Sequence, residues 1–120
     1  MTALDIIKQG LSLVYETPVT DADAQMFSTV IIQTLITECY EAEQNSRDND
    51  NQLTAIPAVK DGSGNYNTIP YNDYLLTVTL PYGVAWKWCE ANEKEQGASM
   101  YYSLYEQAKH IGGGGKWNLG

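Results

Sequence analysis

The sequence predicts a mainly α-helical fold, a small bundle of about four helices with an inserted β-hairpin and a flexible C-terminal tail. Three observations support this prediction. Apolar residues recur at helical spacing in four segments, capping signals precede three of these segments, and β-like runs occur only between residues 53 and 69. A chain of 120 residues has the usual size of one domain. We therefore expect 1–111 to form a single helical domain and 112–120 to form a glycine-rich tail.

A threonine with an aspartate three residues later stands before each of the first two predicted helices. This variant of the capping box at Thr2 precedes an apolar stripe, which predicts a first helix from Ala3 to Glu16. A Thr-Pro pair then disfavours helical geometry, and a second capping signal follows at Thr20. We expect the second helix to start there and to run as a single element to about Asn45.

The helical period is lost between residues 53 and 69. Leu53 to Val59 and Tyr66 to Ile69 are short runs with β-branched or aromatic residues, and the segment between them contains two glycines suited to a reversing turn. The sequence therefore predicts a small β-hairpin inserted between the second and third helices.

The third helix is predicted to start at a cap, Asn72 or Asp73, and to continue to about Glu93 with a kink at Pro81. Two threonines and one lysine are its only clearly polar side chains between positions 74 and 88. A helix that is apolar nearly all round is buried on several sides. We therefore expect a neighbouring subunit to supply part of its cover.

Aromatic residues are chosen unevenly, with nine tyrosines and three tryptophans against one phenylalanine. Tyrosine and tryptophan suit surfaces that are dry on one side and polar on the other, as protein interfaces are. The alternative is that these side chains line the core with their polar atoms outward. For the first interpretation, the residues assigned to a subunit interface are Tyr74, Tyr82, Trp86 and Trp88.

A fourth helix is predicted from Ala98 to Ile111, with Gly112 as its stop signal. Four consecutive glycines then lead to an aromatic residue and a leucine near the chain end. A buried tryptophan is a frequent anchor in protein interfaces. We assign partner binding to Lys116, Trp117 and Leu119, and the alternative is a terminus that docks nowhere.

The formal net charge of -8 opposes any general attraction to phosphate backbones. The acid is unevenly placed, because residues 20–45 hold five carboxylates and no lysine or arginine. Glu38, Glu41 and Glu43 lie near a helix C-terminus, where negative charge opposes the helix dipole. This unfavourable placement predicts either an acidic face past which DNA slides or one that meets a basic partner, and the alternative is a solvated helix face.

The sequence offers little for catalysis, and we predict that the protein is not an enzyme. The one histidine, His110, falls in the last turn of a predicted helix, where a cation favours the dipole. Cys39 and Cys89 lie in apolar segments, which predicts buried thiols. We expect no cofactor and no metal site, and the most apolar window, 74–89, is too short to span a bilayer.

Four segments together resemble the head-tail connector, or neck adaptor, proteins of tailed bacteriophages, including the tail accessory factor type. They are ETPVTDADA at 16–24, ECYEAEQNSR at 38–47, LTAIPAV at 53–59 and IPYNDYLLTVTLPYGVAWKW at 69–88. The resemblance implies a helical bundle that forms a ring in the virion neck, usually twelve-fold in these families, after assembly in the host cytoplasm. It also implies four partners: the portal protein above, further copies of the chain, the next tail or neck protein, and DNA that passes through without stable binding.

Two hypotheses from different classes follow. The first is a structural virion protein that joins the portal to the tail and extends the DNA channel. The alternative is an acidic DNA mimic or inhibitor, whose carboxylates imitate phosphates at a basic site on a nucleic-acid enzyme. The mimic predicts a soluble monomer or dimer with carboxylates spread over its surface, whereas the ring subunit predicts apolar surface on the third predicted helix that is covered by like neighbours.

Overall fold

The computed structural model describes residues 1–114, and five α-helices carry most of this part of the chain. The helices are α1 (Ala3–Ser12), α2 (Asp21–Gln25), α3 (Thr29–Ser46), α4 (Leu80–Ala91) and α5 (Glu95–Gly112). A short 3₁₀ turn, Asn49–Asn51, follows α3, and a π-helical segment, Leu75–Thr79, leads directly into α4. The prediction of a mainly helical protein is confirmed.

The capping box before α1 is present as predicted. The backbone N–H of Asp5 donates to the Thr2 hydroxyl at 3.2 Å, and the Thr2 N–H donates back to the Asp5 carboxylate at 3.0 Å. The bond from the Thr2 N–H to the Asp5 carboxylate lowers the pKa of Asp5, and a second bond to this carboxylate, from the Thr2 hydroxyl at 3.0 Å, lowers it further. The helix ends at Ser12, earlier than the predicted Glu16, because the chain tightens there through a bond from the Leu13 N–H to the Gly10 carbonyl.

The second predicted helix is in fact two helices, and its prediction as one element was wrong. The expected capping box at Thr20 begins α2, but this helix ends at Gln25. Ser28 then begins α3, since its hydroxyl accepts a hydrogen bond from the Ile31 N–H at 3.4 Å. A serine in an extended conformation is a strong helix N-cap, and this signal inside the apolar stripe decides where α3 starts.

The predicted hairpin is reduced to a single antiparallel bridge, between Lys60 and Tyr66. The chain does reverse at the expected turn, where the Asp61 carboxylate accepts hydrogen bonds from two backbone N–H groups and Gly64 takes a positive φ of 84°. These two bonds hold the pKa of Asp61 below its usual value. The arms also share backbone bonds from the Asn67 N–H to the Val59 carbonyl and from the Asp61 N–H to the Asn65 carbonyl, but an isolated two-stranded hairpin is marginal in water, and both arms bind other parts of the chain as well.

The second arm of this loop lies against the N-terminus. Thr68 forms an antiparallel bridge with Thr2, and the Ile69 N–H donates to the Met1 carbonyl at 3.0 Å. The first arm is held by Gln33 of α3, whose side-chain amide bonds the Pro57 carbonyl at 2.9 Å and the Val59 N–H at 3.1 Å. Tertiary contacts therefore replace the predicted two-strand ladder.

The third predicted helix begins at its expected cap, because the Asn72 side-chain oxygen accepts from the Leu75 N–H at 3.0 Å. The π-helical segment, Leu75–Thr79, follows two residues after this cap, and the Leu80 N–H reaches back to the Leu75 carbonyl. Pro81 has no N–H to donate, so the regular hydrogen-bond ladder cannot continue through it. A wider turn placed directly before the proline absorbs this interruption.

Helix α4 is the central helix of the fold, and its cover comes largely from the same chain. It packs against α5, α1 and α3, and its inward residues, including Leu80, Val84 and Cys89, are buried. The same chain therefore supplies much of the cover of this helix, and the expectation that a neighbouring subunit supplies part of it stays a prediction. The sequence pattern reports burial, but it does not say which chain provides it.

Thr79 carries a buried hydroxyl without a hydrogen-bond partner in residues 1–114. Thr77 bonds the carbonyl four residues before it, but the corresponding carbonyl for Thr79, that of Leu75, receives the Leu80 N–H. We expect Thr79→Val to raise the free energy of unfolding by about 1 kcal/mol, because it removes an unpaired polar group and keeps the side-chain shape.

Urea unfolding followed by circular dichroism measures this change. Thr77→Val is the matched control, since the Thr77 hydroxyl is exposed and bonded, and it should bring no gain. A Thr79→Val protein that unfolds at lower urea than the wild type would contradict the prediction.

Candidate functional site

Glu38 and Glu41, two of the three residues assigned to an acidic face, are exposed on α3. They border an open groove of about 530 Å³ between α3 and α5, which we call the acidic groove. The Tyr105 hydroxyl donates a hydrogen bond to the Glu38 carboxylate at 2.8 Å and so fixes one wall. The residues that line the acidic groove are Glu38, Glu41, Ala42, Asn45, Glu106, Lys109, His110, Gly113 and Gly114.

Glu43, the third residue of the predicted acidic face, is buried, and its assignment to that face was wrong. Only 2% of the residue is exposed, and its carboxylate forms an ion pair with Arg47. The same carboxylate accepts hydrogen bonds from the backbone N–H and the side-chain amide of Asn72. Glu43 thus places its negative charge beside the first N–H of the next helical segment, where that charge is favourable.

The aromatic residues assigned to a subunit interface mostly pack within the chain. The centroid of the Trp86 ring lies 4.8 Å from that of Tyr102 and 5.5 Å from that of Tyr105. The ring centroids of Tyr82 and Tyr101 are 6.2 Å apart. These contacts favour the alternative interpretation, in which aromatic side chains line the core.

Trp88 packs against Tyr15 at a centroid distance of 5.8 Å. Tyr74 is the most exposed of the four assigned aromatics and has 36% of its surface free. Tyr82 and Trp86 of α4 both pack toward α5, Trp88 packs elsewhere, and Tyr74 directly precedes the π-helical segment. Their role in a subunit interface stays a prediction.

The residues assigned to partner binding, Lys116, Trp117 and Leu119, lie outside the described residues. The boundary of the predicted tail moves, because Gly112 is a buried part of α5. A Cβ added there would lie 2.4 Å from a methyl carbon of Leu75, so a larger residue would have to displace this buried side chain. The chain leaves α5 beside the acidic groove, since Gly113 and Gly114 belong to its lining.

The predicted buried thiols are confirmed, since Cys39 and Cys89 are both buried. Burial raises the pKa of the Cys39 thiol to about 12, which keeps it protonated and unreactive near neutral pH. His110 is exposed in the last turn of α5, so it does not lie beside a buried thiol in the core. Among residues 1–114, no three His, Cys, Asp or Glu side chains are placed to hold a metal ion.

A second groove, which the sequence did not predict, runs along the outer face of α3. It also measures about 530 Å³, and we call it the neutral groove. Val30 in its wall is 73% exposed, and Met26, one turn earlier in the chain, is 87% exposed. Both residues lie beside the predicted apolar stripe, and that stripe predicted only the buried face of the helix. The lining consists of Thr29, Val30, Gln33, Thr34, Thr37, Glu38, Ala58, Val59 and Lys60.

Fold and surface together define the class of molecule: a mainly helical, strongly acidic protein in which two of the open grooves share Glu38. Comparison with protein-family models, curated proteins and solved structures found no match to this chain. In the part of the chain that the structure describes, no helix combines the length and the apolarity that crossing a bilayer requires.

Proposed function

We propose that this protein is a structural virion subunit that forms a ring at the neck of a tailed bacteriophage. In this role it joins the portal to the tail and extends the DNA channel without performing chemistry. One observation supports the proposal most strongly: the chain leaves α5 at Gly113 and Gly114, beside the exposed carboxylates Glu38 and Glu41. A connector subunit needs an acidic surface toward DNA and a chain end toward its partner.

The charge of the acidic groove suits a surface that DNA passes without binding. Neither Glu38 nor Glu41 forms an ion pair with a basic side chain in residues 1–114. Lys109, the nearest cation in the lining, is bound to Glu106 at 3.1 Å. Unpaired carboxylates repel phosphates within roughly 10 Å at moderate salt, so the wall would keep DNA sliding and prevent it from adhering.

The partners in this proposal are those that the sequence resemblance implies. The portal protein receives the segment with Lys116, Trp117 and Leu119, further copies of the chain complete a ring, usually twelve-fold, and the next tail or neck protein binds below. We place the protein in the virion neck, and in the host cytoplasm during assembly.

Electron microscopy of the protein mixed with the portal of its own phage tests the proposal. We expect a second ring stacked on the portal ring, and the absence of this ring would contradict the connector hypothesis. A variant ending at Gly114 should keep the wild-type circular dichroism spectrum and melting temperature, because residues 1–114 contain the packed core. The same variant should bind the portal at least tenfold more weakly if Trp117 is a buried anchor, and unchanged binding would remove the tail from the proposal.

The alternative proposal, an acidic DNA mimic or inhibitor, has one observation in its favour. Exposed carboxylates also occur far from α3 in the sequence, for example Asp73, Glu93 and Glu95. None of these three carboxylates forms an ion pair with a basic side chain within residues 1–114. A mimic would compete with DNA for a basic enzyme site and would not stack on the portal. The two proposals therefore predict opposite results in the portal experiment.

A further inference from the structure

Among residues 1–114, the four most exposed large apolar side chains lie just before α3, at the start of α3 and on α5. Met26 and Val30 are the two most exposed large apolar side chains, at 87% and 73%. On α5, Met100 is 51% exposed and Tyr102 is 46% exposed. We propose that the exposed face of α5 from one copy binds in the neutral groove of the next copy. This inference rests on the proposed ring and names its subunit contact.

The charge of the neutral groove favours another copy of this chain as its occupant. A chain of net charge -8 repels its own copies over most of its surface. The lining of the neutral groove has one carboxylate, Glu38, and one ammonium group, Lys60, so its formal charge sums to zero. Two acidic copies therefore meet there at the lowest electrostatic cost.

The exposed face of α5 has the matching character. Between Gln96 and Gln107 its most exposed residues are polar but uncharged, or apolar, and the one charged residue, Glu106, has a side chain that is 43% exposed and already paired with Lys109. Uncharged serine and glutamine side chains around Met100 and Tyr102 allow close approach at a lower desolvation cost than unpaired ions would. The exposed residues of this face are Gln96, Ser99, Met100, Tyr102, Ser103 and Gln107.

Complementary charges border the two faces. Lys60 lies over the Tyr66 ring at 4.6 Å and has no carboxylate partner in residues 1–114. Glu95, the first residue of α5, is exposed and has no basic partner in the same part of the chain. In the proposed contact, Lys60 of one copy faces Glu95 of the next copy and fixes the direction of binding.

The two faces are different surfaces of one chain. The neutral groove lies between α3 and the segment 58–60, whereas α5 packs on α3 through Tyr105. A contact between two unlike faces is head-to-tail, and it closes into a ring when the rotation between copies permits. Contacts of this kind add copies in sequence, which a two-fold contact does not do.

Two substitutions and their mixture test the contact. Val30→Glu blocks the neutral groove and leaves the α5 face intact, while Met100→Glu does the reverse. We expect each variant to associate with itself roughly tenfold more weakly or worse than the wild type, because each buries a new charge in the contact. An equimolar mixture should stop at a dimer, because one intact groove and one intact α5 face remain between the two variants. Sedimentation equilibrium measures the masses.

Leu13→Glu is the matched control, since Leu13 is 44% exposed, borders a different groove and should not affect association. Wild-type protein that stays monomeric at its highest soluble concentration would overturn the inference. A mixture that behaves like the separate variants would also overturn it. If the Val30→Glu variant forms portal-bound rings as well as the wild type does, this contact is wrong and the proposed function still stands. If the wild-type chain forms no ring on the portal, the proposed function itself is wrong.

Discussion

Gly10→Ala should lower the free energy of unfolding by about 3 kcal/mol, because overpacking a tight helix crossing forces the helices apart. A Cβ at this position would lie 2.4 Å from the Val84 Cβ and 2.9 Å from the Pro81 carbonyl oxygen. Both contacts belong to α4, the central helix, so α1 cannot shift without disturbing the core. For a domain of this size, we expect the melting temperature to fall by roughly 12 °C in a thermal scan.

Two further variants distinguish overpacking from a general effect of alanine. Gly62→Ala should stay within about 0.5 kcal/mol of the wild type, because its added Cβ meets no heavy atom within 4 Å. Adding Val84→Ala to Gly10→Ala should not restore the lost stability, because it removes the Val84 Cγ1 but keeps the Val84 Cβ and the Pro81 carbonyl oxygen that crowd the new side chain. If Gly10→Ala melts at the wild-type temperature, the close packing of α1 on α4 is wrong.

The helix starts were predictable because capping is local chemistry. Thr2, Thr20 and Asn72 each bond a backbone N–H three residues later in the chain, so the residues needed lie within one turn. The break before α3 was missed because Ser28 interrupts an apolar stripe that continues on both sides. The π-helical segment was also missed. Pro81 predicts an interruption of the helical hydrogen bonds, but it does not predict which backbone conformation replaces them.

The partners of a side chain were not predictable when they lie far along the chain. The hairpin arms bind Gln33 and the N-terminus, and neither contact leaves a signal in the local pattern. The cover of α4 by α1, α3 and α5 likewise depends on how the helices are arranged. Helix spacing indicates that a face is buried, and only the fold determines whether the same chain or another copy covers it.

The acidic segment illustrates both the strength and the limit of the sequence argument. The unfavourable position of three glutamates near a helix C-terminus predicts a role for this region, and that role stays a prediction. The segment itself could not show that Glu43 turns inward, because one of its partners, Asn72, belongs to the next helical segment. Glu38 and Glu41 keep the exposed positions that the proposed acidic wall requires.

Glu43→Ala should cost about 3 kcal/mol of unfolding free energy, because it leaves one member of a buried ion pair without its partner. The Arg47 guanidinium would keep only the carbonyls of Asn51 and Pro70, at 2.9 Å and 2.6 Å. The Asn72 N–H would lose its acceptor as well. Glu41→Ala, an exposed carboxylate on the same helix, is the matched control and should stay within about 0.5 kcal/mol of the wild type.

Glu43→Gln should lower the free energy of unfolding by an amount between those of Glu43→Ala and Glu41→Ala. Its side-chain oxygen can still accept a hydrogen bond from Asn72, while the negative charge opposite Arg47 is lost. The Asn72 side-chain amide also donates to the Gly112 carbonyl at 3.0 Å, so Glu43 helps to hold the end of α5 where the chain leaves the body. Hydrogen exchange should therefore become faster at the last turn of α5 in Glu43→Ala but not in Glu41→Ala. Equal exchange in both variants would show that Glu43 stabilises α3 alone, and the proposed connector would then need another means of directing its C-terminal segment toward the portal.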